Sequence, residues 1–205
     1  MAVQSDYRYS LTVNGTTQFE VVRFVLKEHL SALFRLELDL ASFGSEPNFH
    51  SLIDHPATLT FWQGNETIRS VNGIITALNQ GETGFTRTRY HMVIEPSLCR
   101  AGLQTDLRIF QQQDSQKIIE TLLSKNQVSQ SQFHLQTPYW TREYCVQYRE
   151  TDLNFIQRLA AEEGSYYYFE HTNDSHILHF SNSTTLSEKK GNLVYNAMPA
   201  GQRPE

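Results

Sequence analysis

The stretch REYCVQYRETDLNFIQRLAAEEGSYYYFEH, residues 142–171, changes its hydrophobic period twice and so sets strand, helix and strand in a fixed order. Tyr144, Val146 and Tyr148 alternate with Cys145, Gln147 and Arg149, the period of two that suits a half-buried strand. From Leu153 the apolar positions recur at three and four, through Ile156, Leu159 and Ala160, which is helical spacing. Thr151 or Asp152 can accept from the orphan amides of the first turn, and Gly164 can take the left-handed exit. Tyr166, Tyr167, Tyr168 and Phe169 then form a strand with bulk on both faces. Tyr166 and Tyr168 share one face and Tyr167 and Phe169 the other, so one pair is expected in the core and the second against a neighbouring subunit or domain. A sugar platform would use the same rings but needs convergent polar groups that this strand does not supply. Ile156 and Leu159 are expected to pack between the two strands, with Gln157 and Glu162 on the outer side. Nothing in the stretch has the form of a catalytic loop.

Upstream, the first hundred residues read mostly as antiparallel strands. Tyr7, Tyr9, Leu11 and Val13 alternate up to Asn14-Gly15, a dipeptide that tolerates positive φ, and residues 19–26 are expected to return as the second arm of a hairpin. Phe34, Leu36, Leu38 and Leu40 stand opposite Arg35, Glu37 and Asp39, the clearest alternation in the chain. Strands are expected at 57–62, 71–78 and 86–94, the last with Tyr90, Met92 and Ile94 on one face, and Gly64-Asn65 marks a turn. Pro47 and Pro56 bracket a polar loop holding His50 and His55. Asp114 or Ser115 can cap a helix whose stripe is Ile118, Ile119, Leu122 and Leu123, ending near Asn126. The polar run after it is read as a domain connection, and strands 166–170 and 177–180 join through Asn173, Asp174 and Ser175.

Composition narrows the function classes. A chain of 205 residues can bury roughly 70% of its unfolded surface, enough for one large core or two small ones without disulfides. Cys99 and Cys145 are read as packed thiols, which fits a reducing compartment. The start, MAVQSDYRYSL, lacks the basic and apolar regions of a signal peptide, and no run approaches the ~20 apolar residues of a membrane span. With 17 Lys+Arg against 22 Asp+Glu, a formal charge of -5 and no basic run, a phosphate-tracking nucleic-acid binder is disfavoured. The protein is therefore expected to be made in the cytoplasm.

Catalytic and metal chemistry is not indicated. His176 and His179, three apart on a strand, point to opposite faces and do not share an ion. His50 and His55, with Asp54 nearby, lack the ligand spacing of a metal site. Glu162 and Glu163 sit about 100° apart on a helix and do not converge on one bond, which reads as a solvated helix end. No serine elbow, phosphate loop or zinc-protease motif is present, so no catalytic residue, cofactor or metal is expected. The Asn-x-Ser/Thr sites at Asn14, Asn65, Asn173 and Asn182 are of the kind that occurs by chance.

The order of the opening stretch, EYCVQYRE, TDLNFIQRLAAEEG and YYYFEH, resembles the N-terminal hub region of the VgrG spike proteins of type VI secretion systems, related to the baseplate hubs of contractile-tailed phages. Residues 34–42, FRLELDLAS, and 108–123, RIFQQQDSQKIIETLL, are similar to family segments in the same order, so the resemblance covers most of the chain. Ser165 departs from it, standing where an apolar residue is expected. The family continues into a barrel and a β-helical needle that are not in this sequence, so an N-terminal fragment ending artificially at Pro204-Glu205 is expected.

The resemblance implies a β-rich α+β fold, with antiparallel β-barrels of the tail-hub type and short connecting helices. It places a first hub barrel at 1–106, a helical connection at 107–143, and a helix with the start of a second β-rich unit at 144–205. Tyr144, Tyr148, Ile156, Leu159, Gly164, Tyr166 and Tyr168 are the residues singled out as structural. It further implies a non-enzymatic hub in a homotrimer, docked on a hexameric tube protein and baseplate components and carrying effectors, without stable membrane association. Such a hub is assembled in the cytoplasm and leaves through the contractile apparatus. A phage tail hub has the same architecture, and a carbohydrate-binding or cell-wall hydrolase domain is the reading from a different class.

Overall fold

The computed structural model describes residues 7–16, 19–43 and 49–183. Pro47, the first six residues and the end at Pro204-Glu205 lie outside them. Among the described residues, six strands form one curled antiparallel sheet: β1 (Tyr7–Val13), β2 (Glu20–Lys27), β3 (Arg35–Ser42), β4 (Pro56–Gln63), β5 (Glu66–Thr83) and β6 (Thr88–Glu95), in the order β1-β4-β5-β6-β3-β2. The alternation of β3 is realised in full, with Leu36, Leu38 and Leu40 at 1% exposure or less beside Tyr90, Met92 and Ile94 of β6. Curling brings the edge strands β1 and β2 together through Tyr9 and Phe24 at 5.0 Å, and Phe24 also meets Phe61 of β4 at 5.2 Å. Among the described residues no ladder joins β1 to β2, so the sheet is a half-barrel.

The first hairpin is a correction. Asn14 and Gly15 do adopt φ of 47° and 78°, and Val13 and Thr16 exchange both backbone bonds across the turn. Yet β1 pairs with β4, from Tyr7 against Gln63 to Val13 against Ala57, while β2 pairs with β3 at the opposite edge. The dipeptide encodes a reversal of direction, and the apolar faces decide which strand is the partner: Leu11 and Val13 are buried against the β4 residues Leu59 and Ala57.

A short 3-10 segment, Ser97–Gly102, leads into β7 (Thr105–Asp114), α1 (Ser115–Lys125), β8 (Ser131–His134), β9 (Thr141–Thr151), α2 (Asp152–Glu162), β10 (Tyr166–His171) and β11 (His176–Ser181). β7 and β9 form a separate antiparallel ribbon, and β10, β11 and β8 a small sheet in which β8 runs parallel to β11. The boundaries read at 106/107 and 143/144 therefore fall inside β7 and inside β9. The stretch taken as a helical connection contributes most of one ribbon strand and the whole of β8, because its polar glutamines hide a strand whose bonds come from a distant partner.

Both helices are bounded by local chemistry. The Asp114 carboxylate accepts from Lys117 N at 2.9 Å, and the Thr151 hydroxyl from Asn154 N at 3.1 Å. α2 ends in a paired reversal: Ser165 N donates to Ala160 O at 2.8 Å and Gly164 N to Ala161 O at 3.0 Å, with Gly164 at φ 66°. Ser165 is itself buried, and its hydroxyl pairs with the Tyr139 hydroxyl.

Two apolar clusters result, one inside the curled sheet and one around α1, α2 and the small sheet, with Phe169 packed against both. Their junction is polar. Asn72 of β5 donates its backbone N–H to His171 Nδ1 at 3.1 Å and its amide to Thr172 O and Ser175 O at 2.7 and 2.9 Å, while Ser31 N donates to Tyr167 O at 2.8 Å. Burial, with His176 alongside, pushes His171 down to about 4, so both rings stay neutral and accept at neutral pH.

Two stability predictions follow from the ends and face of α2. Leu159, completely buried, should cost about 2 to 5 kcal/mol when truncated to alanine, whereas exposed Asn154→Ala should stay within about 0.5 kcal/mol, read from denaturant midpoints. Gln157, taken from the sequence as a tolerant position, instead donates to the hydroxyl of buried Tyr167 at 2.8 Å and is no neutral control. Gly164→Val should cost about 1 to 2 kcal/mol through its backbone alone, since no atom lies within 4 Å of an added Cβ. Ser165→Val should also destabilise, by about 1 kcal/mol, because it strips the partner of the Tyr139 hydroxyl. In a Tyr139→Phe background the second cost should shrink and the first persist, as thermal unfolding of the four variants will show.

Candidate interaction surface

The ribbon of β7 and β9 lies over α1 and α2, and its inward side is mostly polar. Cys145 and Gln147 are buried beneath it, with Phe110 meeting Phe155 of α2 at 5.8 Å. The centre of this layer is Asp152, 2% exposed at the first turn of α2. Its carboxylate accepts from Gln147 Nε2 at 2.8 Å, Asn126 Nδ2 at 2.8 Å and Arg108 Nη2 at 3.0 Å, with Lys125 Nζ at 3.4 Å. Burial raises the pKa of this group, but the two amide donors and the two cations outweigh it and leave the carboxyl below its ordinary range. Arg108 is shared with Asp106, held at about 2 chiefly by that guanidinium.

The opposite end is also tied. Arg142 of β9 donates to Glu162 Oε2 and Glu163 Oε1, both at 2.7 Å, and Glu163 Oε1 also accepts from Ser115 Oγ at 2.6 Å. The two adjacent acids, read from sequence as a solvated helix end, thus share one guanidinium, and Glu163 links α2 to the start of α1. Arg158 bridges Glu150 at 2.7 Å and Glu162 at 2.8 Å and donates to Val146 O at 3.1 Å. The ribbon is fixed at both ends.

Its outward side carries the apolar residues. Leu107 stands opposite Tyr148, Ile109 opposite Val146, and Gln111 opposite Tyr144. Leu107, Ile109, Tyr144 and Tyr148 are each between 61% and 64% exposed, and Val146 is 43% exposed. The period of two read from 144–148 is present, with the tyrosines on the solvent face. Arg149, at φ 50°, forms the extra residue of a bulge next to this row, its guanidinium 5.4 Å from the Tyr148 ring. These five side chains form one exposed row on a rigid face, the kind of surface a candidate interaction site presents.

The other residues singled out from sequence are placed elsewhere. Ile156 and Leu159 are at 0% exposure and Gly164 ends α2, all beneath or beside the ribbon and none on its face. On β10, Tyr167 is the fully buried ring, while Tyr166 and Tyr168 are half-buried, with Tyr168 stacked on His179 at 4.9 Å. His179 meets His134 of β8 at 2.8 Å, whereas His176 turns toward Ser97, so the two histidines join different neighbours. Asp54 pairs with Arg100 at 2.8 Å, and His55 bonds to Ile53 O. Burial pushes the Cys99 thiol up to about 11 and raises Cys145, which keeps both in the unreactive protonated form. Sequence reasoning missed Leu107 and Ile109; their signal was the alternation of Leu107, Ile109 and Gln111 with Arg108 and Phe110 ahead of the helix cap.

Comparison with known proteins agrees with this architecture. Residues 27–205 match the family model of the phage tail baseplate hub (GPD). The chain belongs to this phage tail baseplate hub family. It is similar to the type VI secretion system spike protein VgrG2a of Pseudomonas aeruginosa, 37% identical over 205 residues that cover 98% of this chain and 24% of the relative. It is also similar to the spike protein VgrG3 of Vibrio cholerae, 39% identical over 170 residues covering 82% of this chain and 17% of the relative. The chain thus spans about a quarter or less of the length of these relatives. Among solved structures, the E. coli c3393 protein, a component of the type VI secretion system, superposes with a TM-score of 0.81 at 23% identity, over 87% of this chain and 50% of that one. A tail protein from Neisseria meningitidis gives 0.61 at 11% identity, over 84% and 50%. These likenesses place the fold with tail hubs.

The Asp152 cluster generates a pH prediction. A folded-state pKa below the ordinary value means that the stabilisation is present above the ordinary carboxylate range and is lost as pH falls through the folded value. Asp152→Asn should therefore destabilise by about 1 to 3 kcal/mol at neutral pH. The gap from the parent protein should close as the solution is acidified below the carboxylate range, which urea titrations across pH will test.

Proposed function

We propose that this chain forms part of the structural hub of a trimeric spike at the tip of a type VI secretion tube. In this reading three chains, each contributing two similar β-barrel units, offer six quasi-equivalent surfaces to a hexameric tube protein and so convert sixfold into threefold symmetry. The described half-barrel is the first of those units, and the small sheet of β8, β10 and β11 begins the second. Baseplate components hold the hub before firing, and sheath contraction drives tube, spike and any attached effectors through a target membrane. The region acts mechanically, with no catalytic step and no cofactor. It is assembled in the cytoplasm and leaves the cell through the apparatus.

One observation carries the proposal: a match to the baseplate hub family over residues 27–205, in a chain whose firmly supported ribbon leaves an apolar face to solvent. The 37% identity to VgrG2a favours a secretion spike over a phage particle. The test is genetic and uses the whole gene in its own cell. In-frame removal of codons 7–183 should abolish contraction-dependent release of the tube protein into the medium, with restoration by the intact gene. Unchanged release of the tube protein would overturn the assignment.

A further inference from the structure

One end of the curled sheet is closed by two histidines from the other half of the chain. Pairing of β5 with β6 stops at Ile74 opposite Glu95, and Pro96 then leads the chain into the 3-10 segment. Continued in the same register, the ladder would set Asn72 opposite Ser97. Instead, Asn72 N donates to His171 Nδ1 at 3.1 Å and Ser97 N to His176 Nε2 at 3.4 Å, with Ser97 Oγ 3.3 Å from the same ring nitrogen. The two histidines stand opposite one another at the end of the β10–β11 ladder, their rings 6.2 Å apart. Both lie against the ring of buried Phe34, at 4.9 and 5.8 Å. A cross-strand pair of imidazoles thus takes the amides that the parted strands leave without a rung.

An imidazole nitrogen can accept an N–H only while it carries no proton of its own. His171 therefore holds its proton on Nε2, which is buried without a hydrogen-bond partner, the nearby Glu28 Oε1 lying 3.8 Å away. The Glu28 carboxylate, just after β2, is already bound by Arg69 of β5 at 2.6 Å. Glu95 at the end of β6 is taken by Arg35 at 3.1 Å and Thr76 at 2.6 Å. Asp174, in the turn between β10 and β11, lines the cleft beside His176 with Ser97 and Gln130. Among the described residues none of these acids makes an ion pair with His176. Burial lowers His171 to about 4, helped by His176 and Arg69 and opposed by Glu28, and lowers His176 to about 4 against a contribution from the Asn72 backbone.

We propose that His171 and His176 form an acid-released clasp: each ring holds a backbone amide at the end of the curled sheet only while neutral, and protonation of the pair parts the second half of the chain from that sheet. A proton added at either accepting nitrogen sets donor against donor and places two cations side by side. Both values lie below the ordinary 6.5, so the stabilisation is complete above that value and drains away as pH falls toward about 4. The remaining ties across the junction, from the Asn72 amide to Thr172 O and Ser175 O and from Ser31 N to Tyr167 O, bear no titrating group. They oppose opening equally at every pH, and the two rings set where it occurs. Each half keeps its own apolar cluster when the clasp opens. The clasp is a property of the fold and independent of the hub assignment, which release of the tube protein tests.

Hydrogen exchange of the 205-residue chain, read by NMR at single amides from about pH 7 to about pH 4 and corrected for the intrinsic exchange rate, tests the clasp. Protection of the Asn72 and Ser97 amides should fall together below the ordinary imidazole range, by about tenfold per pH unit for each ring that takes up a proton and so up to about a hundredfold for the pair. The amides of β3 and α2 should keep theirs. A chain carrying both His171→Asn and His176→Gln presents a carbonyl oxygen near each accepting nitrogen and does not titrate, so its protection at the two amides should stay level across the range. If that chain does not fold, the ring signals of the parent decide, since both rings must take up their protons as the two amides lose protection. Constant protection in the parent, rings that titrate near 6.5 with both amides still protected, or the same pH dependence in the doubly substituted chain would overturn the proposal. So would loss of protection at Asn72 and Ser97 only together with β3 and α2, which is global unfolding.

Discussion

The carboxylate of Asp152 is the point through which the second half of the molecule is held together. A buried charge of this kind is tolerated only when donors replace its water, and here amides from β9 and the α1 terminus and cations from β7 and α1 do so. Its place in the first turn of α2 adds the favourable end of the helix dipole. Because the donors come from β7, α1 and β9, the network fixes the mutual position of both helices and the ribbon more specifically than apolar packing alone. Gln147 supplies one donor at the expense of its own carbonyl, which lies buried without a partner.

That network also explains the inversion of the ribbon. Asp106, Arg108 and Gln147 must point inward to reach or support Asp152, and strict alternation then turns Leu107, Ile109, Val146 and Tyr148 outward. In an ordinary two-layer domain the apolar set would face the helices. Here the polar set does, and the penalty is limited because Phe110, Cys145 and the stripes of α1 and α2 still fill the space below.

What the sequence made legible was local. The β3 alternation, both helices, their caps and the left-handed exit at Gly164 each depend on neighbours within a few residues, and each was readable. What it hid was pairing. Asn14-Gly15 announces a turn but cannot say that β1 belongs beside β4, and the glutamines of β7 disguise a strand whose partner lies some thirty residues away. The facing of β9 was hidden for a related reason. Tyrosines are read as core on grounds of size, whereas the inward choice was made by Asp152, three residues beyond the end of the alternating run. The family resemblance supplied the architecture that periodicity could not.

The same two strands therefore carry a charged network on one side and an exposed apolar row on the other. Their inner face is committed to a charged network and two helices, so substitutions there propagate through four elements. Their outer face touches little of its own chain, so its side chains can change with small effect on folding. This separation lets the exposed row vary without loosening the core. Edge strands and exposed apolar rows are ordinarily aggregation hazards, and the rigid backing and the Arg149 bulge beside the row restrict how another strand can pair with it.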